Sequence, residues 1–512
     1  MKSRISWFTW SLVLLAAAGM ALELYAMRTG PAIRGDSVRY VMGARNLLAG
    51  NGFSRLSGGG EVFPETGFAP FLSFVLAGFG LVGIDMYAGV RVLNALVFGG
   101  SLVLVANLIA TAARSRWIGL LGGALVLVAP NVVKWHAWLM SEAVFIFLML
   151  VALQALVIHL RTGRWAPLVV AGLAAGMAGL ARYVGVSLVP VGGLGILLWG
   201  AGSRRERLGR AAVFCLLAGL PFVLWMMRNQ VVGGAGLANR QIRFHAFRPE
   251  ALRVFLFEPT TWVIPEALVL SRAVRGLVAL AALAVGPILL LAKELRGRRP
   301  GGDAEPGRDV LPWLLFLLVP AYVAVLAFNS LFLDAATTYD GILRYLTPLF
   351  VLIVLLEVTA YTRALPAGWA RWPLGVLAAV WIAVSLATNV QESLAFARDS
   401  TNAIGFTNIR TEWTDLAADL EAAPVVITDN PEMVYYLTDR PAYMMPIKFD
   451  QYQQTFREDY QQQIDLARSR LEGGAVLVVF GEPSDEESEA IDRLEVSPLR
   501  IYAGAVVYGY GP

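Results

Sequence analysis

The chain has 512 residues, of which 57% are hydrophobic and only 16% charged, against roughly 25% charged in soluble globular domains. That balance excludes an ordinary soluble protein and puts the bulk of the chain in lipid. The single cysteine, Cys215, lies in an apolar run and excludes a disulfide framework or a cysteine zinc site; the three histidines, His136, His159 and His245, have no partner at metal-ligand spacing. The net charge of +4 hides an asymmetry, because residues 391–512 carry 9 Lys/Arg against 21 Asp/Glu, leaving 33 basic and 17 acidic residues before them. The basic surplus has a topological use and does not point to nucleic acid.

Apolar runs long enough to cross a hydrocarbon core roughly 30 Å thick recur from the N-terminus to about residue 390. Spans are predicted at 5–27, 88–112, 117–132, 141–160, 166–181, 184–200, 210–228, 268–292, 311–330, 342–362 and 372–390, eleven in all. With Lys2 and Arg4 in the cytoplasm, the inside turns hold Arg114 and Arg116; Arg161 and Arg164; Arg204, Arg205, Arg207 and Arg210; Lys293, Arg296, Arg298, Arg299 and Arg308; and Arg363 with Arg371. Every short, Arg-rich turn then lies on one side, as the positive-inside rule asks. A cleaved signal peptide is the competing account of the first run, but its removal would break this pattern.

The same parity makes residues 68–84 a juxtamembrane or re-entrant helix in a first outer loop, residues 28–87, rather than a span. A second helix is expected there over 36–49, with Asp36 as its N-cap. A further outer loop, 229–267, has an amphipathic stretch near Ala251–Phe257. Residues 1–390 are thus a transmembrane domain and 391–512 a small extracytoplasmic α/β domain, with strands at Val425–Thr428, Val476–Phe480 and Val506–Tyr510 and helices near 451–471 and 484–494. No repeat of 20 to 50 residues interrupts this division.

Charged groups within spans are costly, so where they occur they invite a functional reading. Here they fall on one level, the predicted outer ends. Asp36 and Tyr40 follow the first span; Trp135, His136, Ser141 and Glu142 lie where the third and fourth meet; Arg182 sits between the fifth and sixth; Arg228 and Asn229 end the seventh; Arg344 and Tyr345 begin the tenth. Each has a plainer reading: Asp36 and Glu142 as helix caps, the arginines as snorkelling groups, His136 as interfacial packing; in the Gly-rich loop that also holds Glu65, Glu61 reads as a solvated residue. Two acids and three arginines converging on one level suit an anionic substrate at the outer leaflet.

The first loop, GDSVRYVMGARNLLAGNGFS followed by PETGFAPFLSFVLAGFG, resembles that of the GT-C superfamily of membrane glycosyltransferases, in particular the bacterial aminoarabinose transferase and protein O-mannosyltransferase group. LMSEAVF, GLARYVGVSLVP, WMMRNQVVGG, ILRYLTPLF and TDNPEMVYYLTDRPAY resemble later landmarks of that group in the same order. The resemblance implies a GT-C-like fold and an inverting transfer of a sugar from a polyprenyl-phosphate donor to an acceptor hydroxyl (glycolipid, polysaccharide or protein) at the outer face. It makes Asp36 the base, or the ligand of a divalent cation such as Mg or Mn. Arg344, Arg182, Arg228 and Tyr345 would bind the donor phosphate, and Glu65, His136, Glu142, Asn229 and Tyr40 the substrates. Two departures remove detail: Ser37 follows Asp36 where many relatives have a second acid, and Pro64, Glu65 and Thr66 stand where the aminoarabinose enzymes place a lysine before a Pro-Pro pair. The sugar and a required metal are therefore not implied.

A lipid-linked sugar flippase would also suit outer arginines, yet it should carry broken helices near the midplane in repeated halves; an O-antigen ligase or polymerase fits the motif order less well, and a non-catalytic glycolipid-binding scaffold would have no use for Asp36. Tyr435, Tyr436, Tyr443 and Tyr452 in the C-terminal domain read as packing or as sugar-stacking groups, and that domain is expected to help select the acceptor. Without Asn-x-Ser/Thr sequons or a retention tetrapeptide, a prokaryotic plasma membrane is the expected location.

Overall fold

The computed structural model describes residues 6–233, 249–264, 271–296, 309–333, 339–364, 371–399, 413–450 and 455–511, with positions 242, 244 and 246. His245, Tyr452, Lys2, Arg4, Arg298, Arg299 and Arg308, and the start of the span predicted at 268, lie outside the described residues.

Most of the molecule is helical. Seven helices are long and apolar enough to cross a membrane among the described residues: α1 (Trp7–Ala26), α4 (Met86–Ala113), α7 (Glu142–Thr162), α10 (Arg204–Gly233), α12 (Arg272–Arg296), α13 (Leu311–Phe332) and α14 (Tyr339–Ala364). The run predicted as one span at 117–132 is instead α5 (Arg116–Leu127) and α6 (Pro130–His136), bent by 64°. Pro130 causes the break, because its ring disfavours helical backbone at the residue before it, and Ala129 is extended. Two shorter apolar helices follow α7, α8 (Trp165–Ala181) and, after a 3₁₀ turn at Tyr183–Ser187, α9 (Leu188–Trp199). The amphipathic stretch in the second loop is α11 (Pro249–Val263), and α15 (Arg371–Asp399) continues past the predicted boundary at 390.

Lipid offers no hydrophobic drive between helices, so close approach depends on small residues. A Cβ on Gly99 of α4 would stand 3.1 Å from the Ala16 carbonyl of α1, and one on Gly176 of α8 would stand 2.8 Å from the Leu217 carbonyl of α10. The main core, including Phe98, Phe145, Leu314, Tyr322 and Leu352, runs between α4, α7, α13 and α14.

The first loop folds on the end of this bundle as α2 (Gly35–Leu48), a hairpin of β1 (Ser54–Leu56) and β2 (Val62–Pro64), and α3 (Phe71–Leu81). Both predicted helices are present, but Asp36 is not the N-cap. That position is Arg34, whose N–H donates to Ser37 Oγ at 3.1 Å, which leaves Asp36 in the first turn with its carboxylate free for other partners. Ala32 bridges to the segment before α7, its N–H donating to Ala137 O (3.0 Å) and its carbonyl accepting from Leu139 N–H (2.9 Å). The start of α2 is thereby fixed beside the start of α7.

The C-terminal residues form a sheet in the order β4 (Tyr443–Met444), β3 (Val426–Thr428), β7 (Val476–Phe480), β9 (Ala505–Tyr510), β8 (Val496–Tyr502), parallel across the first three and antiparallel across the last three. A separate two-stranded pair is made by β5 (Phe449–Asp450) and β6 (Thr455–Phe456). Alternation along β7 sends Val478 to one face, against α16 (Thr414–Ala422) and α17 (Pro431–Thr438), and Leu477 and Val479 to the other, against α18 (Tyr460–Glu472) and α19 (Asp485–Leu494). Strand β8 was not expected; it is an edge strand whose Leu499 and Ile501 stay exposed, so it lacks the buried alternation that marks a strand in sequence.

Candidate functional site

Four of the predicted residues form one chain of charges. Glu142 opens α7; its Oε1 accepts from Arg344 Nε at 2.6 Å and also from the Arg182 guanidinium. Arg344 in turn donates through a terminal nitrogen to Asp36 Oδ2 at 2.5 Å. Asp36 comes from α2, Glu142 from α7, Arg182 from the α8–α9 turn and Arg344 from α14, so the site joins four distant stretches of sequence.

Each element has a local reason to deliver its side chain. Ser141 makes no side-chain cap to α7, contrary to the capping alternative, and instead accepts from Tyr40 (3.2 Å) and Arg182 (3.4 Å). Arg182 follows the last residue of α8 in extended backbone, and its carbonyl accepts from Gly185 N–H at 2.8 Å. That turn points the guanidinium inward, over the Tyr345 ring at 5.0 Å. Arg344 lies 5.8 Å from the Trp135 ring. Burial grades along the chain: Glu142 is fully buried and the Arg182 side chain 8% exposed, whereas Arg344 is 17% and Asp36 35% exposed. Of the two acids, Asp36 is therefore the one open to solvent.

Two polar valences are left over in this network, Glu142 Oε2 and Arg182 Nε, both buried without a hydrogen-bond partner. Buried polar groups are nearly always paired, so such atoms mark a place where a polar ligand or water belongs. Burial, with Asp36 and Glu142 nearby, pushes the Tyr40 hydroxyl well above its ordinary value, so Tyr40 is a proton donor to Ser141 and no base.

The other expected residues sit elsewhere. Arg228, grouped with the phosphate ligands by sequence, is committed to two backbone carbonyls and a side-chain amide: it donates to Phe53 O (2.7 Å), Glu65 O (2.6 Å) and Asn229 Oδ1 (3.0 Å) and clamps both strands' ends of the first-loop hairpin. Asn229 is buried and donates to Thr66 O at 3.4 Å. Glu65, expected to face a substrate, is buried, with Oε1 accepting from Gly67 N–H at 2.8 Å. His136 is buried under the Phe98 ring, Nδ1 on Val132 O at 2.8 Å and Nε2 unpartnered. Trp135 and Ser141, named only as neighbours from sequence, are direct parts of the site. Of the C-terminal tyrosines, Tyr435 and Tyr436 are buried and Tyr443 lies under Arg470 at 3.6 Å.

A cation held by Asp36 fits this donor set poorly. The carboxylate already faces the Arg344 guanidinium at 2.5 Å, the neighbouring Glu142 is taken by that same arginine and by Arg182, and among the described residues no three His, Cys, Asp or Glu side chains converge.

The comparisons agree with this architecture. Residues 59–232 match the family model of dolichyl-phosphate-mannose-protein mannosyltransferases. No curated protein matches the sequence. Among solved structures, ArnT from Cupriavidus metallidurans bound to undecaprenyl phosphate is similar with a TM-score of 0.55 at 16% identity, over 99% of this chain and 100% of that one. Arabinofuranosyltransferase AftD from Mycobacteria gives 0.59 at 15% identity over 100% of this chain and 40% of that one. The archaeal oligosaccharyltransferase AglB from Archaeoglobus fulgidus gives 0.52 at 12% identity, over 93% and 70%. The chain is thus a multi-span membrane protein with the fold of the GT-C glycosyltransferases, which its sequence resembles.

Proposed function

We propose that the protein transfers a sugar, with inversion, from a polyprenyl-phosphate donor to an acceptor hydroxyl at the outer face of a prokaryotic plasma membrane. The observation that carries this reading is the Asp36–Arg344–Glu142–Arg182 chain: a carboxylate at the open end of two arginines, one buried and one partly buried, that share one acid. The family match and the fold it shares with an undecaprenyl-phosphate-bound relative support it.

In this mechanism the donor phosphate lies against Arg344 and Arg182, with the Tyr345 ring beneath Arg182. The acceptor oxygen attacks the anomeric carbon, its proton passes to Asp36, and the bond from that carbon to the phosphate oxygen breaks with its electron pair on the phosphate. General-base help of this kind is worth roughly 10² to 10⁴ in rate. Two fixed guanidiniums stabilise the charge on the leaving phosphate, where little protonation is needed. Glu142 orients them rather than binding substrate, and Arg228 holds the first loop rather than the phosphate. No step is routed through a metal.

The topology belongs to the same proposal. Read this way, the seven long helices, α5–α6 counted once, and α8, α9 and α15 would make eleven crossings, with the N-terminus in the cytoplasm and the C-terminal sheet outside. The test is sugar transfer by purified protein in lipid from a panel of radiolabelled polyprenyl-phosphate sugars. Turnover of one donor is expected; lipid movement across the bilayer without turnover would replace the transferase with a flippase.

A further inference from the structure

Helix α2 has two occupied faces. One turns Asp36 to Arg344 and Tyr40 to Ser141. The other meets α17 of the C-terminal domain, and both ends of that contact are pinned by charge. At the N-terminal end of α17, Glu432 pairs with Arg39 at 3.3 Å and lies against Gly35, where a Cβ would stand 3.7 Å from Glu432 Cγ. At its C-terminal end, Asp439 pairs with Arg45 at 2.6 Å, and Arg45 also donates to the Tyr435 hydroxyl at 3.5 Å. Between the two pins, Tyr435 and Tyr436 are buried in one cluster with Val38, Tyr40, Trp135 and Trp138.

The chain entering the C-terminal domain is tied to the same corner. Arg28, just after α1, donates to Ala397 O (2.5 Å) and Arg398 O (2.6 Å) at the end of α15. Gly58 and Gly59, at the tip of the first-loop hairpin, lie so close against Tyr443 that a Cβ at either would overlap it. The domain therefore grips α2, the hairpin and the end of α1 together.

We propose that α17 is a positioning element for the reaction, with Glu432 and Asp439 holding α2 in the register that keeps Asp36 on the donor site; this rests on the reading of Asp36 as the base. Helical geometry makes the register consequential. A slip of one residue turns α2 by about 100° and carries Asp36 off Arg344, and a misplacement near 1 Å can cost on the order of 10²-fold in rate. Glu432 also sits at the N-terminal turn of α2, where a negative charge complements the helix dipole. Partly exposed ion pairs of this sort add little to overall stability, so variants in them remain folded and report on positioning.

The experiment measures kcat, KM and polyprenyl-phosphate Kd for Arg39→Glu, Glu432→Arg and the double exchange. Each single variant is expected to lower kcat about tenfold with the Kd unchanged, and the exchange to recover most of the loss. Single variants with wild-type kcat, or an exchange no better than either single, would overturn the proposal. If the wild type turns over no donor, the base assignment fails on its own, and amide exchange across Gly35–Leu48 still decides the tether. Faster exchange in the singles, restored in the double, supports it; unchanged exchange overturns it.

Discussion

Neutralising Glu142 is the sharpest perturbation of the charge network. This carboxylate is fully buried and serves as acceptor for Arg344 at 2.6 Å and for Arg182, so Glu142→Gln leaves two nearly buried guanidiniums facing each other with only Asp36 to balance them. Opposite charges roughly 4 Å apart are worth about 4 kcal/mol at an effective dielectric near 20, and removing one partner of a buried pair costs about 3–5 kcal/mol. A glutamine oxygen still accepts one hydrogen bond, so a loss of about 3 kcal/mol is expected, or, for a chain of this length, a fall of roughly 3 °C in melting temperature. Thermal unfolding in lipid nanodiscs, with and without a polyprenyl phosphate, reads both this loss and its cause. The phosphate should restore the missing negative charge and stabilise the variant more than the wild type. A variant that melts with the wild type, or equal stabilisation of both by the phosphate, would refute the reasoning.

Three further outcomes follow from single residues. Arg228→Ala should lower the melting temperature and Arg228→Lys should rescue it poorly, because a lysine cannot reproduce the fork that reaches Phe53 O and Glu65 O together; full rescue by lysine would contradict the clamp. Asp309 is buried and pairs with Arg161 (3.0 Å) and Arg363 (3.5 Å), about 28 Å from Arg344 along α14. Asp309→Asn should therefore lower the melting temperature while leaving turnover per folded molecule unchanged. In the C-terminal domain, burial, with Glu487 nearby, pushes the Asp429 carboxyl from 3.8 up to about 6, against hydrogen bonds from Phe480 N–H and the Thr428 hydroxyl. The folded state thus holds this proton more tightly than the unfolded one, and the stability it confers is present at pH 4 and lost as pH rises through about 6. Asp429→Asn should flatten that pH dependence of melting and raise stability at pH 7 by roughly 1–2 kcal/mol after allowance for partial exposure; a steeper slope would contradict it.

The sequence was most legible where physics penalises error most. Charges at span ends are costly unless they are used, and Asp36, Glu142, Arg182 and Arg344, singled out on that ground, are the ones brought together. Their pairing was not legible, because it is set by which helices touch across more than 300 residues. Arg228 obeyed the same sequence rule and landed elsewhere, since nothing local distinguishes a guanidinium that binds carbonyls from one that awaits an anion. The break before Pro130 did carry a signal, the proline itself, overridden by the length of the apolar run. Helix α17 spans only Pro431–Thr438, too short for hydrophobic periodicity to announce it, although Asn430 caps it by accepting from Met433 N–H at 3.1 Å and the proline follows at the first helical position.

The central claim is that Asp36 takes the acceptor's proton while Arg344 and Arg182 hold the donor phosphate. Transfer by Asp36→Asn, measured beside its affinity for the same polyprenyl-phosphate sugar, tests it most directly. Transfer should fall by roughly 10² or more with donor affinity retained; a variant that transfers at the wild-type rate, or loses activity only because it no longer binds the donor, would contradict it.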